Sequence, residues 1–292
     1  MPKKWFRSPH LLVQLLIILA VAGYYLFCNR SIFTDYSKVK VAKIIDGDTI
    51  ILDNGKHLRY LGIDTPETHL MQEGNWVYAP QPFGKEAAEF NRGLVEGKTI
   101  KVEFDTQKND KYSRLLGYCY LPDGQIVNAK MLEEGYATLF IKAPNIKHTD
   151  IFLAAQNKAR ESKKNLWGGL EVIPAADAGN YLDQIRTIRG KVEKIYDAGT
   201  ILLLSFGKNY KTAFTVVIFD DAKDFFYKKN INPAVFYSGK TLEVSGRIKN
   251  FMGRPEIVIS IPEEITILED SASFNNATTA KTGRKRTKHQ KK

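Results

Sequence analysis

Cysteine is scarce, with Cys28 and Cys119 the only two in 292 residues. Cys28 lies in an apolar N-terminal run and Cys119 in an expected strand, so neither a disulfide framework nor a zinc site is predicted. There is no HExxH, no Walker loop, no Gly-rich dinucleotide turn and no nucleophile elbow, which removes the motif-bearing zinc proteases, P-loop NTPases, dinucleotide enzymes and α/β-hydrolases. A Ser-His-Asp set assembled only by folding would leave no such mark and stays open. Charge is lacking where the pI implies it. The chain carries a net +11, but Lys3, Lys4 and Arg7 supply three of these charges. Lys281, Arg284, Lys285, Arg286, Lys288, Lys291 and Lys292 supply seven more, leaving the body nearly neutral. The basic pI therefore describes the two ends and not a groove in the body.

Charge is also absent from Leu11 to Cys28, "LLVQLLIILAVAGYYLFC". With basic residues before it and Trp5, Tyr24 and Tyr25 at interfacial positions, residues 1–30 predict a single-pass transmembrane anchor. A cleaved signal peptide ending near Ala20-Val21-Ala22 is the competing reading. Either one sends the rest of the chain across a membrane: anchored with the following domain extracytoplasmic, or secreted if cleaved.

Beyond the anchor the pattern turns β-rich. "VKVAKII" alternates, "TIILD" reads as a strand, Asn54-Gly55 as a hairpin turn, and "KHLRYLGI" as a third strand. Thr68 to Pro82 reads as a long polar loop. "GKEAAEFNRGLVEG" has the apolar spacing of a helix, "KTIKVEF" and "RLLGYCYL" are strands, and "VNAKMLEEGY" and "TDIFLAAQNKARESKKNLW" are helices. Residues 37–170 thus predict an α+β domain, a five-stranded OB-like barrel with three helices. Residues 171–184 read as a linker, 185–269 as a second, all-β OB-like barrel, and 270–292 as a disordered basic tail.

The chemistry concentrates in "IDGDTIILDNGKHLRYLGIDTPET", Ile45 to Thr68. Taken singly, Asp46-Gly47-Asp48 and Asp64-Thr65-Pro66-Glu67 are ordinary turn sequences. Taken together, Asp48 and Asp64 offer hard carboxylate ligands at neighbouring strand ends, and Glu67 stands three residues on with its oxygens free for a water. Arg59 offers a planar fork for phosphate oxygens, and "NDKYSRLLG" adds Lys111, Tyr112 and Arg114. These are the parts for metal-assisted phosphodiester hydrolysis.

"KIIDGDTIIL", "LRYLGIDTPET", "FGKEAAEF", "KVEFD", "DKYSRLLGYCY" and "ARESKKNLW", spread in order over about Val39 to Trp167, resemble the staphylococcal nuclease (thermonuclease) family. The resemblance implies Ca²⁺ ligation by Asp48 and Asp64 and by the Thr65 main chain, although the residues alone suit Mn²⁺ or Mg²⁺ as well. It implies catalytic roles for Arg59, Glu67 and Arg114, contacts of Lys111 and Tyr112 with a nucleotide phosphate, and cleavage of DNA and RNA to 3′-phosphates. The loop from Thr68 to Pro82 is longer than the family's. Single-strand binding by the second barrel is expected through Lys249, Phe251 and Arg254 on one exposed edge. The rival reading is a membrane-tethered protein that binds or takes up nucleic acid without cutting it; the intact Arg59, Glu67 and Arg114 argue against it.

Overall fold

A computed structural model describes residues 9–29, 34–168 and 171–268. The apolar run forms helix α1 (Pro9–Asn29). It is not a membrane span: among the described residues no helix is long and apolar enough to cross a bilayer. The apolar run within α1, Leu11 to Cys28, reaches about 27 Å at about 1.5 Å per residue, short of an apolar thickness of about 30 Å. The expected transmembrane helix, and with it the membrane as a partner, is therefore corrected. The first residues of the anchor reading and the basic tail, 270–292, lie outside the described residues.

Nine strands and three helices follow α1. They are β1 (Val39–Ile44), β2 (Thr49–Leu52), β3 (His57–Tyr60), β4 (Gly62–Asp64), β5 (His69–Gln72), β6 (Asn75–Tyr78), α2 (Gly84–Val95), β7 (Thr99–Glu103), β8 (Leu115–Tyr120), α3 (Val127–Glu133), β9 (Thr138–Phe140) and α4 (Thr149–Glu161). Strands β1, β2, β3, β8 and β7 close a barrel in that order. Val41, Ile50, Leu52, Leu58 and Cys119 point inward and are buried, which is why short alternating runs suffice to build it. Two registers position the chemistry. Antiparallel β2–β3 pairing sets Thr49 opposite Arg59, beside Asp48. Parallel β3–β8 pairing sets Arg59 opposite Leu116, two residues past Arg114. Residues read as a polar loop form the β5–β6 hairpin instead. It has no buried face, and Trp76 is 70% exposed, so no apolar alternation marked it.

The C-terminal part holds β10 (Val172–Pro174), β11 (Ile185–Lys191), β12 (Lys194–Asp197), β13 (Ile201–Ser205), β14 (Thr215–Phe219), α5 (Asp220–Tyr227), α6 (Pro233–Phe236), β15 (Thr241–Arg247), β16 (Lys249–Phe251), β17 (Arg254–Val258) and β18 (Ile265–Leu268). They make a four-stranded sheet, β10-β11-β15-β18, and a five-stranded sheet, β12-β13-β14-β17-β16. The expected all-β unit carries two short helices as well, α5 and α6, and its two sheets are joined at two places. "IRGKVEKIY" and "KTLEVSGRIK" each read as one strand but change partners midway. Val192 N–H bonds Lys240 O whereas Glu193 N–H bonds Ser205 O, so each run serves both sheets. Residues read as a linker supply β10, which pairs with β11 in parallel.

Ile188, Leu202, Leu204, Val216, Val244 and Ile257 form the shared core of these sheets. The two parts also touch. Ile261 packs in the core of the barrel part, and Ile185 packs with Ala159, Leu166 and Trp167.

Candidate active site

The turn between β1 and β2 is built on Asp46. Its Oδ1 accepts the N–H groups of Asp48 and Thr49 at 2.9 and 2.8 Å, the backbone role that Asp commonly takes in a turn. Asn91 on α2 fixes the same turn from below, donating to Asp46 O at 3.1 Å while accepting from the Tyr60 hydroxyl at 3.0 Å. Asp46 is thus a frame residue. Asp48, aimed the other way, is only 4% exposed. Its Oδ2 accepts from the N–H and hydroxyl of Thr65, at 2.9 and 3.0 Å, which ties the first acidic turn to the second.

Asp64 ends β4, whose pairing with β9 sets it opposite Thr138. Arg59 lies between the two aspartates. Nη1 pairs with Asp48 Oδ2, and Nη2 donates to Asp64 Oδ1 at 3.0 Å. Burial works against the guanidinium charge, but Asp48, Asp64, Asp46 and Glu67 outweigh it and raise the Arg59 pKa. Burial raises Asp48 and Asp46 in turn. Glu67 is exposed as a whole residue. Desolvation at its carboxyl, then the charges of Asp48 and Asp64, push it up to about 7.

Arg59 also opens onto a cleft of about 380 Å³, lined with Lys111, Tyr112 and Arg114 among others. Arg114 is held there by Asp110, with Nε to Oδ2 at 2.7 Å and its own N–H to Oδ1 at 2.9 Å. Its guanidinium lies 5.7 Å from the centre of the exposed Tyr112 ring, and Lys111 Nζ lies 5.0 Å from it. The structure therefore brings Asp48, Thr65, Asp64 and Arg59 into direct contact, with Glu67 beside them. Arg114, Lys111 and Tyr112 reach the site through the cleft they share with Arg59 and do not touch the carboxylates.

The donor set suits a hard cation in part. Asp48 and Asp64 converge on one positive group, Arg59, and their oxygens are the right kind of ligand. Among the described residues no group of three or more His, Cys, Asp or Glu side chains is placed to hold a metal. A pair of carboxylates would need main-chain and water oxygens to fill a shell, which Ca²⁺ accepts.

Sequence reasoning missed two contributors. Gln81, at the foot of the β5–β6 hairpin, accepts the Glu67 N–H at 3.0 Å through Oε1 and returns its own N–H to Glu67 O at 2.9 Å. Arg247, at the end of β15, reaches the same Gln81 oxygen. Nothing local to either residue signals this. The expected single-strand edge is not assembled as predicted. Phe251 is exposed, but Arg254 is buried and paired with Glu256 at 2.6 Å.

The barrel is thus closed and five-stranded, and it carries paired aspartates, a shared arginine and a cleft lined with Lys111 and Arg114. Residues 57–169 match the family of staphylococcal nuclease homologues. The chain is 40% identical to the thermonuclease of Staphylococcus hyicus over 131 residues, covering 44% of this chain and 74% of that protein. It is 38% identical to the endonuclease YncB of Bacillus subtilis over 134 residues, 44% of this chain and 61% of that protein. An uncharacterized endonuclease of Escherichia coli O157:H7 matches at 33% over 139 residues, 46% of this chain and 80% of that protein. The chain belongs to the staphylococcal nuclease family.

Proposed function

We propose that this protein is an endonuclease that hydrolyses phosphodiester bonds in DNA, RNA or both. The observation that carries this reading is Arg59, shared by Asp48 and Asp64 beside Glu67 and open to the cleft of Arg114. Asp48, Asp64 and the Thr65 main chain would hold Ca²⁺, with Mn²⁺ or Mg²⁺ as alternatives, and a bound ion supplies Lewis-acid polarisation of a phosphate oxygen.

The chain's own groups perform the rest. Arg59 and Arg114 donate to the non-bridging phosphate oxygens, and their bonds strengthen as negative charge builds at phosphorus, so they favour the transition state over the bound substrate. Glu67 accepts a proton from water as the water oxygen bonds to phosphorus. A carboxyl near 7 suits a base working at neutral pH. The bond from phosphorus to the 5′-oxygen breaks, that oxygen takes a proton from solvent, and a 3′-phosphate remains. Lys111 and Tyr112 contact the neighbouring nucleotide phosphate. Lys3, Lys4 and Arg7 ahead of a short apolar run support export of the enzyme from the cytoplasm.

The test is cleavage of single-stranded DNA with divalent cation and with chelator, for wild type and Glu67→Gln. Wild type should cut only with the cation. The variant should lose about 10²–10⁴-fold in kcat while still binding DNA. Near-full, cation-dependent cutting by both Glu67→Gln and Arg59→Ala would end the assignment, and wild-type binding without cutting would favour a nucleic-acid-binding role.

A further inference from the structure

We propose that Arg247 is a positioning residue of the active site, contributed by the C-terminal sheets and lying outside the family-matched segment 57–169. The inference rests on the nuclease reading above for what is positioned, and on geometry for how. Arg247 is 8% exposed. Its Nη1 donates to Gln81 Oε1 at 2.5 Å and to Asp183 O at 3.2 Å. Its Nε stands 3.7 Å from Asp64 Oδ2, close enough for charge attraction but too far for a hydrogen bond.

Two site residues are thus held from one guanidinium. The Gln81 oxygen that takes the Arg247 donor also takes the Glu67 N–H, so Arg247 stiffens the turn that aims the base. Asp64 is gripped on Oδ1 by Arg59 and faced on Oδ2 by Arg247, which restricts rotation of its carboxylate. Arg247 Nη2 is buried without a hydrogen-bond partner. Burying a guanidinium with a donor unsatisfied costs stability, so holding the interface together does not by itself account for this residue. A site assembled by three separate segments, residues 46–67, residue 81 and residue 247, needs the C-terminal sheets in place.

The experiment uses the full chain as wild type, Arg247→Ala, Gln81→Ala and the double variant, with two readouts. The first is amide hydrogen exchange at Glu67, with Ile50 and Leu58 of the barrel as internal controls. Arg247→Ala should speed exchange at Glu67 by about tenfold or more, the protection from one local bond of about 1.4 kcal/mol, and leave the two barrel amides unchanged. The second is cleavage of single-stranded DNA. Each single variant should lower kcat about tenfold or more with KM within about twofold, as displaced catalytic groups do. The double should fall well short of the product of the two losses, because both variants break the shared Gln81 contact. Unchanged exchange at Glu67 overturns the proposal whether or not the protein cuts DNA. Multiplicative kcat losses, or a lowered melting temperature with kcat within twofold, overturn it too. A wild type that cuts nothing ends the nuclease reading alone, and exchange still decides the contact.

Discussion

Arg59 donates from Nη2 to Oδ1 of Asp64 at 3.0 Å, and the other arm of the same guanidinium meets Asp48. The arginine proposed to meet a phosphate is therefore also the cation that two crowded carboxylates share. Removing one partner of a buried pair leaves an uncompensated charge. Arg59→Ala should lose stability as well as activity, by about 3 kcal/mol in urea unfolding. Arg59→Ala combined with Asp48→Asn should recover part of that stability and none of the activity. An Arg59→Ala variant as stable as wild type would show that the pairing contributes nothing to folding.

Cation binding should stabilise the fold through the same two carboxylates. A ligand at 100 times its Kd adds about 2.7 kcal/mol. Saturating Ca²⁺ should raise the melting temperature of wild type, chelator should reverse it, and Asp48→Asn and Asp64→Asn should each abolish the rise. Equal shifts in wild type and both variants would place the cation elsewhere.

Gly84 opens α2 against the turn that carries Glu67. A Cβ added there would stand 2.5 Å from Glu67 O and 3.3 Å from Pro66 O, so backbone must move. Gly84→Ala should lower kcat by about tenfold or more, with a stability loss of about 1–3 kcal/mol from overpacking. Retention of full kcat would mean that the turn shifts without disturbing the base.

Glu264 is buried beneath the C-terminal sheets and accepts the N–H groups of Ser260 and Ile261 at 2.8 and 3.1 Å. Burial outweighs those bonds and the nearby Arg160, and pushes its carboxyl up to about 7 from the ordinary 4.5. The folded state then binds the proton more tightly than the unfolded chain. Stability from this group is full below about 4.5 and is lost as pH rises through about 7. Glu264→Gln should flatten the fall in unfolding free energy between pH 5 and 7.5, measured by urea titration. Parallel curves for the two proteins would show that another group carries the dependence.

Much of the barrel is legible in short stretches. "VKVAKII" and "TIILD" alternate, and Asn54-Gly55 turns with Gly55 at φ +78°, the left-handed position that closes a three-residue hairpin loop between Leu52 and Lys56. The helix over Gly84–Val95 follows from apolar spacing. Two features did not announce themselves. The β5–β6 hairpin buries neither face, so its side chains carry no period. The runs that cross between the C-terminal sheets are continuous in the chain while their hydrogen-bond partners change, and pattern records burial but not partner.

By itself the sequence determined the local matters: which turns hold carboxylates, which runs extend or coil, and that the chemistry on offer is oxygen ligands, a spare glutamate and guanidinium groups. Side-chain type and backbone preference act over a few residues, so they can be read from a few residues. The tertiary structure alone decided that Arg59 falls between Asp48 and Asp64, that β8 runs beside β3 to bring Arg114 to the same cleft, and that Arg247 reaches Gln81 across 166 positions. Such meetings depend on how the barrel closes and how the sheets pack against it. Those are cooperative outcomes of the whole core, and no short stretch encodes them.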